Sequence, residues 1–386
     1  MANLHRSGLR GLKDFVVHSV RAAMANNELP VVDWEACFFS QTAHYVGFEY
    51  APIDVLLAFL ERQHSDGFVS NSLLPTGRAN ELHCKPFLAQ TLQYALLHAP
   101  IDVEETTRLI HFIDGYLEFF ERRRSTQTGL YYWSSPIESG ISSNVDLLHL
   151  RADDAGDNYA TAGQSSRLIC IDLNSYLVSE FRAFAAVLSR FNISGRAKQF
   201  NRRADELAEA IEKLLWNQSL EMYCNYSPER QELIPMRSWT GLLPVMLGFA
   251  RPDRTARVLS ANMLNESRFL RPSGLASMSA SDDFYHQASM SSALNVQQGN
   301  WWGPMWVLPN ILSCRSLVKL GLRAEARDIA GRVLGTLCDD LERNGMLHAN
   351  YDADTGRPLS LPRYMAWNAL VLELVDVVDA EEFAAA

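Results

Sequence analysis

The sequence predicts an all-α protein in which pairs of helices close into a toroid. Apolar residues recur at helical spacing along most of the 386-residue chain, and strand-like alternation is almost absent. Between residues 323 and 342, for example, Ala326, Ile329, Val333 and Leu337 fall on one face while charges occupy the other. About eleven such segments alternate with irregular connections, a rhythm that fits a ring of helical hairpins whose loops converge at one end of the axis.

The predicted helices, in chain order, span residues 9–26, 51–63, 85–98, 103–124, 168–191, 194–216, 239–249, 253–264, 303–320, 323–342 and 361–378. Three connections, at residues 125–166, 223–237 and 265–300, are irregular and rich in Gly, Ser, Pro and Asn. Loops longer than about 12–15 residues in a compact domain are usually functional. No low-complexity linker divides the chain, so we expect residues 1–386 to form a single domain.

The composition limits the partners and the compartment. A net charge of −10 disfavours nucleic acid and anionic membranes as partners. The apolar runs are short and broken by charges, so no transmembrane helix is expected, and residues 1–30 lack the apolar core of a signal peptide. The six cysteines are far apart and form no C-x-x-C pair, which predicts reduced core thiols in a cytoplasmic protein. The sequence predicts no oligomeric state.

Three segments carry the residues that we expect to do chemistry. Residues 136–144 read P-I-E-S-G-I-S-S-N, residues 299–306 read G-N-W-W-G-P-M-W, and residues 346–356 read M-L-H-A-N-Y-D-A-D-T-G. The middle segment has three tryptophans within six residues, beside Gly and Pro. Aromatic faces stack on ring-shaped ligands, and glycine lets a backbone approach a ligand closely. This pattern favours a ligand cleft over a buried helix start.

These segments resemble the motifs of the trehalase and processing α-glucosidase families, including the bacterial mannosylglycerate and glucosylglycerate hydrolases. Further similar segments follow in the expected order: D-W-E-A-C-F at 33–38, Q-H-S-D-G at 63–67, I-D-L-N-S-Y-L at 171–177 and R-Y-M-A-W-N-A at 363–369. The resemblance implies an (α/α)6 toroid of the six-hairpin glycosidase type. It also implies a small-molecule glycoside as substrate, inversion at the sugar carbon and no cofactor.

The resemblance places the two catalytic carboxylates where this chain has none. In that group the first motif usually reads E-S-G-x-D-N and supplies the general acid, and a Glu just before N-Y-D-x-x-T-G supplies the general base. Here those places hold Ser142 and Ala349. An inverting glycosidase needs both groups, roughly 6.5–9.5 Å apart, and losing either one costs about 10²–10⁴-fold in rate.

Three explanations stay open at this point. The register of the comparison is shifted, and Glu138, Asp146 or Asp153 is the acid. Neighbouring residues have taken over, with His348 or Asp352 acting as base. Alternatively, the cleft has been kept while hydrolysis was lost, leaving ligand binding or a non-hydrolytic isomerase, lyase or cyclase reaction.

The acidic string at 153–157 allows one further hypothesis. Asp153, Asp154 and Asp157 form a D-D-x-x-D pattern that resembles the magnesium-diphosphate motif of terpene cyclases, and carboxylate oxygens suit that ion. The sequence has no matching second metal motif, so we predict no metal and no other cofactor.

The predicted function is therefore glycoside-hydrolase-like, on a small glycoside in an aromatic-lined cleft. The candidate catalytic residues are Glu138, Ser142, Asp146, His348 and Asp352. The residues predicted to bind substrate are Trp34, Glu35, Phe38, Trp133, Asn144, Trp239, Trp301, Trp302, Trp306, Tyr351 and Trp367.

Overall fold

The computed structural model of the chain describes residues 6–74, 82–134, 136–141, 168–288 and 300–379. Within these residues the chain forms twelve α-helices: α1 Arg6–Ala25, α2 Asp33–Ser40, α3 Ala51–Leu60, α4 Leu88–His98, α5 Val103–Arg124, α6 Ile171–Arg190, α7 Ser194–Leu214, α8 Leu243–Met246, α9 Pro252–Arg257, α10 Val307–Lys319, α11 Arg323–Asn344 and α12 Val371–Asp379. Short 3₁₀ turns at Trp239–Leu242 and Asn368–Leu370 lead directly into α8 and α12.

The helices alternate between an inner and an outer ring. The inner helices α2, α4, α6, α8, α10 and α12 contact one another in that order, and the Asn368–Leu370 turn contacts α2, so the ring closes. Inner helices such as α6 and α10 bury about three quarters of their residues, because they have neighbours on most sides. Outer helices such as α7 bury a single stripe and expose a charged face. The fold is an (α/α)6 toroid, as the sequence predicts.

Short antiparallel strands connect these helices. The strands are β1 Trp216–Asn217, β2 Met222–Tyr223, β3 Tyr226–Ser227, β4 Glu232–Leu233, β5 Leu270–Arg271, β6 Gly274–Leu275, β7 Met305–Trp306, β8 His348–Tyr351 and β9 Pro358–Pro362. The last three form one sheet in the order β7-β8-β9, with Trp306 opposite Asn350 and Asn350 opposite Ser360. This sheet brings the second and third sequence motifs together.

The structure corrects several predicted elements. The prediction missed α2, which has eight residues of which seven are buried, and therefore shows no polar face. The segment predicted as a helix at 361–378 contains the end of β9 and a 3₁₀ turn before α12 starts at Val371. Likewise α10 begins at Val307 because the two residues before it pair with β8. The predicted helix at 253–264 is α9 followed by a π-helical segment, Val258–Met263.

A buried carboxyl joins two inner helices near the middle of the chain. The Glu180 side chain on α6 accepts hydrogen bonds from the backbone N–H groups of Ala89 (2.6 Å) and Gln90 (3.2 Å), at the start of α4. The first N–H groups of a helix have no partner within the helix, so the Glu180 carboxyl caps the start of α4 in place of a side chain near in sequence. Burial raises the pKa of Glu180 to about 7.

All six cysteines lie in the described part of the chain and are thiols; five of them are buried. None of the described helices is both long and apolar enough to cross a bilayer.

Candidate functional site

Five tryptophans meet where the inner helices begin. Trp34 is in the first turn of α2, Trp239 and Trp306 lie at the starts of their helical segments, and Trp367 precedes the last one. Trp301 is the centre of the group: its ring centroid lies 4.3 Å from that of Trp306, 5.5 Å from Trp239, 5.7 Å from Trp367 and 6.0 Å from Trp34. We call these five residues the tryptophan cluster, and this end of the toroid the cleft end.

The tryptophan cluster is closely packed, and each side chain exposes 4% or less of its surface. Its members differ in how their indole N–H groups are used. The Nε1 of Trp306 donates to the carbonyl oxygen of Asn300 at 2.8 Å. By contrast, the Nε1 atoms of Trp239 and Trp367, and the nearby Nδ2 of Asn350, have no hydrogen-bond partner among the described residues. Buried polar groups normally have a partner, so these donors have unused hydrogen-bonding capacity.

A buried ion pair lies directly beneath Trp34. The Lys85 Nζ atom is 3.2 Å from Oδ1 of Asp33, and 4.9 Å from the centroid of the Trp34 ring. The Asp33 carboxylate also accepts the backbone N–H groups of Trp34 and Lys85, each at 2.7 Å. Gly140 packs against this pair: a Cβ atom there would lie 3.1 Å from Trp34 and 3.2 Å from Lys85. The first motif therefore needs its glycine for this contact.

Glu35 is a partly exposed carboxyl beside the tryptophan cluster. Its Oε1 accepts a hydrogen bond from the Tyr364 hydroxyl at 2.7 Å. Burial is the main cause that raises the pKa of Glu35; Asp33 raises it further, while Tyr364 and Lys85 lower it. Tyr364 follows two non-glycine residues with positive φ, Leu361 (47°) and Arg363 (60°). Backbone conformations of this kind are costly and often occur at functional sites.

Glu138 has four donors around its carboxylate. It accepts from Nη2 of Arg124 (2.9 Å), the backbone N–H of His83 (3.1 Å), and both the backbone N–H (2.7 Å) and the hydroxyl (2.9 Å) of Ser134. Its side chain is 1% exposed. Such contacts hold the loop of the first motif in place; a catalytic role for Glu138 stays a prediction.

The third motif forms a polar group on β8. His348 Nδ1 lies 2.9 Å from the buried Asp340 carboxylate, and the Tyr351 hydroxyl donates to the same oxygen at 2.8 Å. Asp352 accepts the backbone N–H groups of Asp354 (3.0 Å) and Thr355 (2.9 Å), which closes a turn. These contacts hold the strand and its turn in place; the roles of Asp352 as base and of Tyr351 in substrate binding stay predictions.

Three predicted binding residues lie apart from the tryptophan cluster. Trp133 donates through Nε1 to Asp172 at 3.1 Å. Trp302 packs in a separate small cluster with two methionines and Tyr285. Phe38, one helical turn after Trp34, has its ring centroid 5.1 Å from that of Phe87 and lines a cavity at the opposite end of the toroid.

Several predictions lie outside the described residues. Ser142, Asn144, Asp146 and the acidic string of Asp153, Asp154 and Asp157 belong to this group. Across the ranges that the structure describes, no group of three or more His, Cys, Asp or Glu side chains could hold a metal ion.

Lys85 and Tyr364 are not among the site residues predicted from the sequence. Lys85 and Asp33 are 52 residues apart in the sequence, so no local motif predicts this ion pair. Tyr364 does lie inside the last similar segment, 363–369, where only Trp367 was selected.

Comparisons with known proteins give one family and several relatives. A family described as the mannosylglycerate hydrolase MGH1-like glycoside hydrolase domain matches residues 31–367. A periplasmic trehalase from Escherichia coli O1:K1 / APEC is 22% identical over 227 residues, which is 57% of this chain. The match spans only 37% of the length of that trehalase.

Two solved structures have a similar fold. The GH63 mannosylglycerate hydrolase from Thermus thermophilus, in complex with Tris and D-glycerate, superposes with a TM-score of 0.74 at 17% identity, covering 94% of this chain and 99% of that one. Neutral trehalase from Saccharomyces cerevisiae has a TM-score of 0.66 at 13% identity, covering 92% of this chain and 72% of that one.

Proposed function

The chain belongs to the family of mannosylglycerate hydrolase MGH1-like glycoside hydrolase domains, and from this premise we propose that its cleft end binds a small glycoside. Hydrolysis there is slow, because the places of the usual acid and base hold Ser142 and Ala349, and neither side chain can do that work at neutral pH.

The observation that best supports this proposal is a set of buried hydrogen-bond donors without partners among the described residues. Trp239 Nε1, Trp367 Nε1 and Asn350 Nδ2 lie in or beside an aromatic wall. Sugar hydroxyls can accept from such donors while the apolar face of the ring packs on indole. A purely apolar ligand would leave these N–H groups unsatisfied, which costs about 1–3 kcal/mol for each buried group.

Glu35 supplies the complementary acceptor. Its partly exposed carboxyl is held by Tyr364 and lies next in sequence to Trp34. A carboxylate in this position accepts hydrogen bonds from sugar hydroxyls. The neighbouring Lys85–Asp33 pair keeps the local charge balanced, because its two members offset each other.

Hydrogen-bond donors near Trp302 favour a glycoside whose non-sugar part, the aglycone, is negatively charged. Arg237 Nε, Trp302 Nε1 and Gln287 Nε2 are all buried and have no partner among the described residues. The positive charge of Arg237 and three donors without an acceptor suit a carboxylate. The Thermus relative is described in complex with D-glycerate, and a glycoside of a small hydroxy acid is accordingly our proposed substrate class.

A matched pair of variants tests the glycoside site. We expect Trp367→Phe to weaken binding of glucosylglycerate or mannosylglycerate about 3–10-fold, because the ring remains but one hydrogen bond is lost. Trp216→Phe is the control: it lies outside the tryptophan cluster and its Nε1 donates to Gln218 at 3.0 Å, so we expect lower thermal stability and unchanged affinity. Titration calorimetry and melting temperatures give both quantities. Equal affinity losses in the two variants, or none in Trp367→Phe, would contradict the assignment.

A second candidate function is a cleft that binds its glycoside without hydrolysing it, or that carries out an isomerisation or elimination. Ala349 favours this second function, since alanine has no titratable group.

We also propose that the protein is cytoplasmic, which the six reduced cysteines support. We propose further that residues 1–386 form a single domain.

A further inference from the structure

We propose that the end of the toroid opposite the tryptophan cluster holds a second binding site, for an uncharged small molecule with an apolar ring and a hydroxyl group. A cavity of about 810 Å³ lies there, between the inner helices. Ligand cavities in proteins commonly have volumes of about 300–1,000 Å³. All six inner helices contribute to its wall, so the cavity lies on the axis of the ring. This inference does not rest on the proposed glycoside function.

The inner wall of the cavity is aromatic and aliphatic. Phe38, Phe87 and Tyr176 form a layer across the axis, with ring centroids 5.1 Å and 4.8 Å apart in that order. Met246 and Leu312 continue the apolar surface. Covering this surface with the ring of a ligand removes apolar area from water on both sides, which is favourable.

The charged side chains on the cavity wall nearly balance, with Arg182, Arg315 and Lys319 positive and Glu373 and Asp376 negative. Arg315 forms two hydrogen bonds with Glu373, at 2.6 Å and 2.8 Å, and the Asp376 carboxylate accepts from the Tyr45 hydroxyl at 2.6 Å. At the rim, Arg182 pairs with Asp205. An ionic ligand beside the Arg315–Glu373 pair would lose its hydration next to charges that are already paired, so an uncharged ligand is favoured there.

The Arg315–Glu373 pair also provides a place for a hydroxyl group. Both residues line the cavity, and 32% and 23% of their side-chain surfaces remain accessible. Nη2 of Arg315 also lies 3.3 Å from Oε1 of Gln41, so this pair and the amide present donors and acceptors side by side. A hydroxyl both donates and accepts, and can therefore bind the carboxylate and the guanidinium together.

Three probes of equal size and different charge test the site: 2-naphthalenemethanol, 2-naphthoate and 2-naphthylmethylammonium. We expect titration calorimetry on the full chain to show binding of the alcohol, and affinities about tenfold or more lower for both ions. Two variants, Ser179→Trp and Gln93→Trp, place a large ring in the cavity and should each weaken alcohol binding about tenfold or more. Gln199→Trp, on the exposed face of α7, is the matched control and should bind as the wild type does.

The tryptophan cluster is the competing location for an aromatic probe. If the alcohol binds there, Trp367→Phe lowers its affinity and the two cavity-filling variants do not, which would overturn the proposal. Absence of alcohol binding up to its solubility limit, or a preference for either ion, would overturn it as well. Melting temperatures identify which cavity-filling variants fold, and having two of them keeps the test decisive. Failure here leaves the glycoside proposal intact, because that proposal depends on residues at the cleft end.

Discussion

The double variant Ser142→Asp, Ala349→Glu is expected to hydrolyse glucosylglycerate, mannosylglycerate or trehalose far faster than the wild type does. A general acid or a general base each contributes about 10²–10⁴-fold, and the two act in one transition state, so either single change should give much less than the pair. Ala349 lies on β8, whose neighbour β7 carries Trp306 of the tryptophan cluster. A glutamate at position 349 would therefore lie on the strand next to the tryptophan cluster.

Released sugar, measured for the wild type, both single variants and the double variant, gives the comparison. The variant Ser142→Asn, Ala349→Gln is the matched control, because it has similar side-chain shapes but no titratable groups, and it should stay as slow as the wild type. Rapid hydrolysis of any of these glycosides by the wild type would show that other residues are the acid and base. Rates that do not rise in the double variant would place the missing groups elsewhere in the cleft.

Asp33→Asn is expected to destabilise the fold by about 3–5 kcal/mol, the cost of leaving one member of a buried ion pair without its partner. The side chains of Lys85 and Asp33 are only 2% and 1% exposed, so the ammonium group would face the protein interior without a counter-charge. Each carboxylate oxygen of Asp33 accepts a backbone N–H group, and the single oxygen of the amide can keep only one of these, so the variant loses one hydrogen bond together with the charge. Urea denaturation measures the free energy of unfolding.

Two further variants separate charge from shape at this pair. Adding Lys85→Met to Asp33→Asn should recover part of the lost stability, because the unpaired charge is then absent. Asp14→Asn breaks an exposed pair with Arg10, whose side chains are 74% and 86% accessible, and should change stability by no more than about 0.5 kcal/mol. A small loss in Asp33→Asn, comparable to that in Asp14→Asn, would mean that the pair is dispensable for the fold.

Helical periodicity predicts the long helices of this fold well. The helix predicted at 103–124 has those bounds in the structure, as α5 Val103–Arg124, because one of its faces is apolar and the other charged. Periodicity fails for α2, where seven of eight residues are buried and no face is polar. It also fails at 361–378, where a strand and a turn around Pro362 precede the last helix. Sheet pairing with β8 depends on contacts that a local pattern does not contain.

The sequence likewise predicts part of the candidate site and misses the rest. The residues predicted to bind substrate include Trp34, Trp239, Trp301 and Trp306, and the structure places their rings together. Phe38 shares a motif with Trp34, but four residues of helix carry it about 6 Å further along the axis, into the aromatic layer that it forms with Phe87 and Tyr176. The four donors around Glu138 come from three separate parts of the chain, so sequence alone could not reveal that its carboxylate is already occupied.

A crystal structure of the wild type soaked with glucosylglycerate tests the central claim most directly. We expect the sugar ring to lie against the tryptophan cluster, with hydroxyl groups within about 3.2 Å of Trp367 Nε1 and of the Glu35 carboxylate, and the glycerate carboxylate directed toward Arg237. A sugar bound elsewhere on the toroid, or bound at the cleft end without contact to Glu35 and Trp367, would contradict the account.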